Sequence, residues 1–223
     1  MNDSDLNAYV GYFAGQLEAV AQLEDRLFRK ILTVAMVDTW SRAVYPAADG
    51  HRNRFTDFVG NYSGWEDADR VNPWHLQSLL HQLDDDADSP LRVATKEILA
   101  GRSEGEMVRL RRDPIYSDLV PLSIADEVSL LKQSTHLSLF YLYRCDLVHE
   151  FREPGHGMEF DSEACEPFYH SMMGDDGDTW ELVYPLGFFA ELAVNCLTNL
   201  RESFLSSGGS PHESYFFGSP WRK

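Results

Sequence analysis

A mainly α fold, with a small β-hairpin ahead of the last helix, is what this sequence predicts, and three features of the text predict it. Residues 5–45 and 123–151 carry apolar side chains at helical spacing. Two shorter helices announce themselves by a capping residue followed by proline, Asn72-Pro73 and Ser89-Pro90. Alternating apolar residues on either side of Gly174-Asp175-Asp176-Gly177-Asp178 make the one hairpin signal.

In the first stretch, Leu6, Tyr9, Val10, Phe13, Leu17, Val20, Leu27, Ile31, Val34 and Ala35 recur at three- and four-residue intervals, and Pro46 closes it. It is one long helix or two consecutive ones. From 46 to 122 the texture changes to glycine, proline and aspartate, and reads as an insertion between core helices. It holds PWHLQSLLHQL from Pro73 and PLRVATKEILA from Pro90, the latter closed by Gly101, with a short strand near Met107–Arg111 and the rest irregular. Asp84–Asp88 is a solvated connector. Ser123 then opens a continuous, buried helix running to about Phe151, ahead of Pro154 and Gly155. Glu166–Met173 and Thr179–Tyr184 form the hairpin, with Trp180, Leu182 and Tyr184 on one face. A last helix runs from Pro185 to about Ser207, followed by Gly208-Gly209 and an aromatic tail with Tyr215, Phe216, Phe217 and Trp221.

The chain has 223 residues and a formal charge of −17, and 15 of its 19 basic residues are arginine. A broad nucleic-acid-binding face would show the opposite balance. Acidity with few lysines bears instead on solubility, as in a high-salt source. No apolar run is long enough for a bilayer and the start lacks a basic signal-peptide region, so the sequence reads as a cytoplasmic protein with no membrane partner. Cys145, Cys165 and Cys196 are odd in number and widely spaced, which argues against a disulfide framework or a Cys-x2-Cys zinc site. No phosphate-binding glycine loop, zinc-protease helix or nucleophile elbow occurs, and no cofactor or metal is expected.

What stands out chemically is Arg144-Cys-Asp-Leu-Val-His149 at the end of the second long helix. The same spacing occurs in Arg70-Val-Asn-Pro-Trp-His75, but Pro73 puts that copy at a loop-to-helix junction. An arginine holds a phosphate bidentately, and a histidine serves as acid or base near neutrality. On a regular helix five residues at about 100° each leave the two side chains about 140° apart. Either the helix end distorts, then, or two subunits meet to build the site. An equally open reading is that the pair caps the helix, with Asp146, Glu150 and Glu153 as ion-pair partners.

The stretch LFYLYRCDLVHEFRE resembles the motif helix of the HEPN superfamily, in which Arg-x4-6-His sits at a helix terminus. VDTWSRAVYP…NRFTDFV resembles, less specifically, helix-plus-loop segments of HEPN-like families. Cys145 departs from the Asn, Asp or His often found after the arginine, with Asp146 one place later. The resemblance implies an antiparallel helical core and a homodimer. It also implies a metal-independent RNA endonuclease with Arg144 and His149 as catalytic residues and Cys145, Asp146 and Glu150 in support, sometimes alongside an antitoxin or other protein partner. It equally implies the alternative of a noncatalytic binding or assembly module. Among the other basic residues, Arg52 and Arg54 are candidate phosphate contacts. They and the Arg109–Arg112 cluster, which could give RNA the same local track, read more readily as surface residues paired with Asp57, Asp113 and Asp118. Asp38 in the first stretch is a candidate neighbour of Arg144.

Overall fold

The computed structural model describes residues 3–46, 50–83, 89–102, 107–155, 159, 164–174 and 177–211. The fold is mainly α with a small three-stranded antiparallel sheet. No helix among the described residues is long and apolar enough to cross a membrane. The aspartate connector at 84–88, His156 and the aromatic tail beyond 211 lie outside the described residues. The chain divides into two compact units, residues 1–65 with 189–223, and residues 66–188.

In the first unit the long N-terminal stretch is two helices, α1 (Asp3–Ala21) and α2 (Arg26–Val44). The chain restarts at Asp25, whose side chain accepts a hydrogen bond from Phe28 N at 2.9 Å and so satisfies a first-turn donor of α2. Phe13 of α1 meets the fully buried Trp40 of α2 edge-on, with ring centroids 5.5 Å apart. A third helix, α3 (His51–Tyr62), buries Phe55, Phe58 and Val59. The expected irregular course of this segment is replaced by a helix that few local signals mark, and the reason is physical. Its N-cap is Gly50 with no side-chain cap, Gly60 sits in its last turn, and its apolar stripe is only two turns long. The part of α9 (Leu186–Ser207) that belongs to this unit is tied to α3: Asn199 Nδ2 donates to Tyr62 O at 2.8 Å.

The second unit contains α4 (Pro73–His81) and α5 (Pro90–Ala100), which start where the caps predict. Asn72 Oδ1 accepts from His75 N at 2.9 Å, and Ser89 Oγ accepts from Arg92 N at 3.2 Å. Val71, Leu76, Leu80, Leu91, Leu119 and Leu131 form its core beside the short α6 (Tyr116–Leu119). Removal of the Asn72 cap, as Asn72→Ala, is expected to cost about 1 kcal/mol in urea denaturation.

The expected single helix from Ser123 to Phe151 is instead α7 (Ala125–Gln133), a break, α8 (His136–Cys145) and a π turn at Asp146–Glu150. The break is imposed from a distance. Asn72 N donates to Ser134 O, His136 N to Arg70 O and Leu137 N to Ala68 O, at 2.8, 2.8 and 2.9 Å. Backbone groups of Ser134, His136 and Leu137 therefore bond to residues 68–72 rather than along a helix, and Thr135 restarts α8 by accepting from Ser138 N. The strand expected near Met107–Arg111 is β1 (Val108–Arg109), and it pairs with β2 (Phe168–Gly174). β2 and β3 (Gly177–Val183) form the predicted hairpin, Ser171 facing Trp180.

Candidate functional site

The end of α8 is anchored by Phe140, Tyr143, Arg144 and Leu147, all buried, at the i, i+3, i+4, i+7 spacing of one helix face. Beyond Cys145 the backbone widens into the π turn, whose i→i+5 register brings residues five apart toward the same side. Phe151 then stops it at φ 58°, a left-handed conformation costing a bulky residue about 1–2 kcal/mol. A regular α-helix would have separated Arg144 from His149. Here Arg144 NH1 lies 3.4 Å from His149 Nε2, within one chain. Of the two routes open from the sequence, the helix end distorts.

At 3.4 Å the contact is long. A guanidinium can only donate, so in this contact Nε2 is placed to accept. Arg144 is 8% exposed whereas His149 is exposed, so a deeply rooted cation sits next to an accessible imidazole.

The other predicted site residues fall around this pair. Cys145 is half-buried, Cys165 exposed and Cys196 buried. Asp146 is half-buried and lines a neighbouring cavity. Glu150 is exposed and pairs with Arg152, whose Nε donates to it at 2.7 Å. Glu153 accepts from the Tyr143 hydroxyl at 2.8 Å. In the second Arg-x4-His copy the side chains go to different partners. Arg70 bonds Asp67 and the Asp113 carbonyl, while His75 Nδ1 lies 3.1 Å from Ser134 Oγ.

Arg52 and Arg54 belong to the other unit. Arg54 is 8% exposed, with NH2 2.7 Å from His51 Nδ1, so its guanidinium is occupied inside the fold; Arg52 is half-buried. Asp38, also of that unit, is buried and pairs with Arg42 at 3.6 Å. The expectation that Asp113 partners the Arg109–Arg112 cluster at the surface is corrected. Asp113 is buried, and Arg109 instead pairs with Glu166.

Two features of the 66–188 unit escaped the sequence reading. One is a buried polar cluster around Asp113. Its carboxylate receives Arg102 and the Tyr169 hydroxyl (2.5 Å), and it lies 2.7 Å from His136 Nε2. The other is a cavity of about 410 Å³ bounded by Trp74 and His75 of α4, Leu139, Leu142 and Tyr143 of α8, and Trp180 and Leu182 of β3. Pro154, Gly155, Tyr169 and Tyr184 complete much of its wall. A local signal existed for part of it: the alternating Trp180, Leu182 and Tyr184 all line the cavity, as does Glu181 between them.

Burial pushes the Tyr143, Tyr169 and Tyr184 hydroxyls well above the ordinary tyrosine value. Carboxylates add to it, Glu153 and Glu159 at Tyr143 and Asp113 at the other two. The folded chain thus holds these protons more tightly than the unfolded chain. Their stabilisation is fully present below about pH 10 and is lost as pH rises from there toward the folded-state values. Stability is expected to fall above pH 10 by up to about 1.4 kcal/mol per pH unit for each tyrosine, checked by urea titrations at pH 8, 10 and 11.

No family model, no curated protein and no solved structure matches this chain.

Proposed function

We propose that this chain is a metal-independent RNA endonuclease of the HEPN type, acting as a cytoplasmic homodimer in which each protomer contributes Arg144 and His149. The observation that carries the proposal is the π turn that sets an Arg144 guanidinium nitrogen 3.4 Å from His149 Nε2 at the end of an anchored helix. A phosphodiester oxygen entering beside them exchanges one long contact for charge-assisted bonds to the guanidinium. Nε2, its lone pair released, is then available to take a proton from the ribose 2′-hydroxyl. The 2′-oxygen attacks phosphorus, and the bond from phosphorus to the 5′-oxygen breaks. The partner's His149, entering the step as the imidazolium, gives its proton to that oxygen, while the first imidazole keeps the proton it took; exchange with water then resets both. The products are a 2′,3′-cyclic phosphate and a 5′-hydroxyl. Arg144 supplies positive charge where the phosphorane gains negative charge.

The net charge of −17 shapes this reading. A long electrostatic track along the backbone is disfavoured, so the site grips one phosphodiester locally. The noncatalytic alternative, a HEPN-like binding or assembly module with a protein partner such as an antitoxin, draws on the small exposure of Arg144, 8%. Incubation of the purified chain with mixed-sequence single-stranded RNA in EDTA separates the two. Shortened products support the endonuclease; intact RNA at micromolar protein favours the module.

A further inference from the structure

We propose that the cavity of the 66–188 unit is a binding site for a small alkylated ammonium cation. The inference does not depend on the Arg144–His149 reading: neither residue lines the cavity, although Asp146, placed in support of that pair, does.

Size, walls and charge carry it together. At about 410 Å³ the cavity lies within the roughly 300–1,000 Å³ range of small-molecule sites. Its walls are rich in indole and phenol rings, the surfaces that attract cations through their quadrupoles. Trp180 is held in position by stacking on Trp74, with centroids 4.5 Å apart and planes 27° from parallel. The Trp74 ring already meets one cation: the Arg102 guanidinium lies 4.4 Å from its centroid, with its charge matched by Asp113.

The charge at the cavity has one sign. Among the described residues that line it, Asp146 and Glu181 are acidic and none is lysine or arginine. Burial shifts its histidine, His75, toward the neutral form. Glu153 and Glu159 extend the negative field to Tyr143. The Glu181 carboxylate has His170 and Gly155 as near neighbours. His170 Nε2 lies 3.6 Å from one of its oxygens, and a Cβ placed on Gly155 would come within 2.9 Å of the other. An anion would be repelled here. A neutral apolar guest would leave carboxylates to be desolvated without return. A cation with an apolar skin satisfies both rings and acids. A free quaternary amine and a methylated lysine of another protein share this chemistry.

Titration of the full chain with choline, with a trimethyllysine peptide and with 3,3-dimethylbutan-1-ol, followed by calorimetry and tryptophan fluorescence, tests the proposal. The alcohol has the shape of choline without its charge. Saturable binding of choline or of the peptide is expected, with the alcohol at least about 10-fold weaker. Which cation binds more tightly identifies the source. Glu181→Gln should weaken the cation about 10-fold and leave the alcohol unchanged. Equal affinity for alcohol and cations, or no saturation by either cation, overturns the proposal without recourse to any variant.

Discussion

His149→Ala is expected to lower EDTA-resistant RNA cleavage by about 10²–10⁴-fold, the span associated with loss of a positioned acid–base group. The fold should scarcely notice. His149 is exposed on the π turn, and surface substitutions of this kind stay within about 0.5 kcal/mol. Activity and stability are thereby separated, which a purely structural role for the pair would not allow. Arg144→Lys sharpens the reading, since a lysine retains the charge but not the planar fork that meets two phosphate oxygens at once. Cleavage should fall in that variant too. Initial rates of the three proteins on one RNA, with urea midpoints measured in parallel, check both statements. Undiminished cleavage by the His149→Ala protein would remove the imidazole from the mechanism.

Asp113→Ala is expected to destabilise the 66–188 unit by about 3–5 kcal/mol, a large share of the roughly 5–15 kcal/mol that holds a typical domain. The Asp113 side chain has no exposure, and the Arg102 side chain it faces has 4%. Its loss strands a guanidinium in the interior and withdraws the acceptor used by the Tyr169 hydroxyl and faced by His136. The cost is that of an uncompensated buried charge, which exceeds the worth of the intact pair. Trp74 and Trp180 lie in this unit, so the change is read in their fluorescence during urea unfolding. A loss below about 1 kcal/mol would show that the cluster is incidental to the unit's stability.

How much of this was legible depended on whether the deciding interaction was local. Asn72-Pro73, Ser89-Pro90 and Gly101 act within one helical turn, so their helices begin and end where the text says. The hairpin follows from alternation and a short turn, also local. The break at Ser134-Thr135 sits in an unbroken apolar run, and what makes it is backbone pairing with residues 68–72, some sixty positions away. Asp113 looked like a surface acid beside basic neighbours; only the return of Arg102, His136 and Tyr169 to one point shows it to be interior. The Arg144-x4-His149 spacing was readable as a motif, yet its geometry was not. Nothing local in Cys-Asp-Leu-Val dictates a π turn over an α turn, and that choice converts separated residues into neighbours. The cavity gathers five separate stretches and was invisible for the same reason.

The central claim, cleavage through the ribose 2′-oxygen assisted by Arg144 and His149, is tested most directly by analysing product ends from one RNA and its fully 2′-O-methylated copy in EDTA. The account predicts 2′,3′-cyclic phosphates and 5′-hydroxyls from the unmodified strand and no cleavage of the methylated one. Cleavage of the methylated strand, or 5′-phosphate ends on the unmodified one, would contradict it.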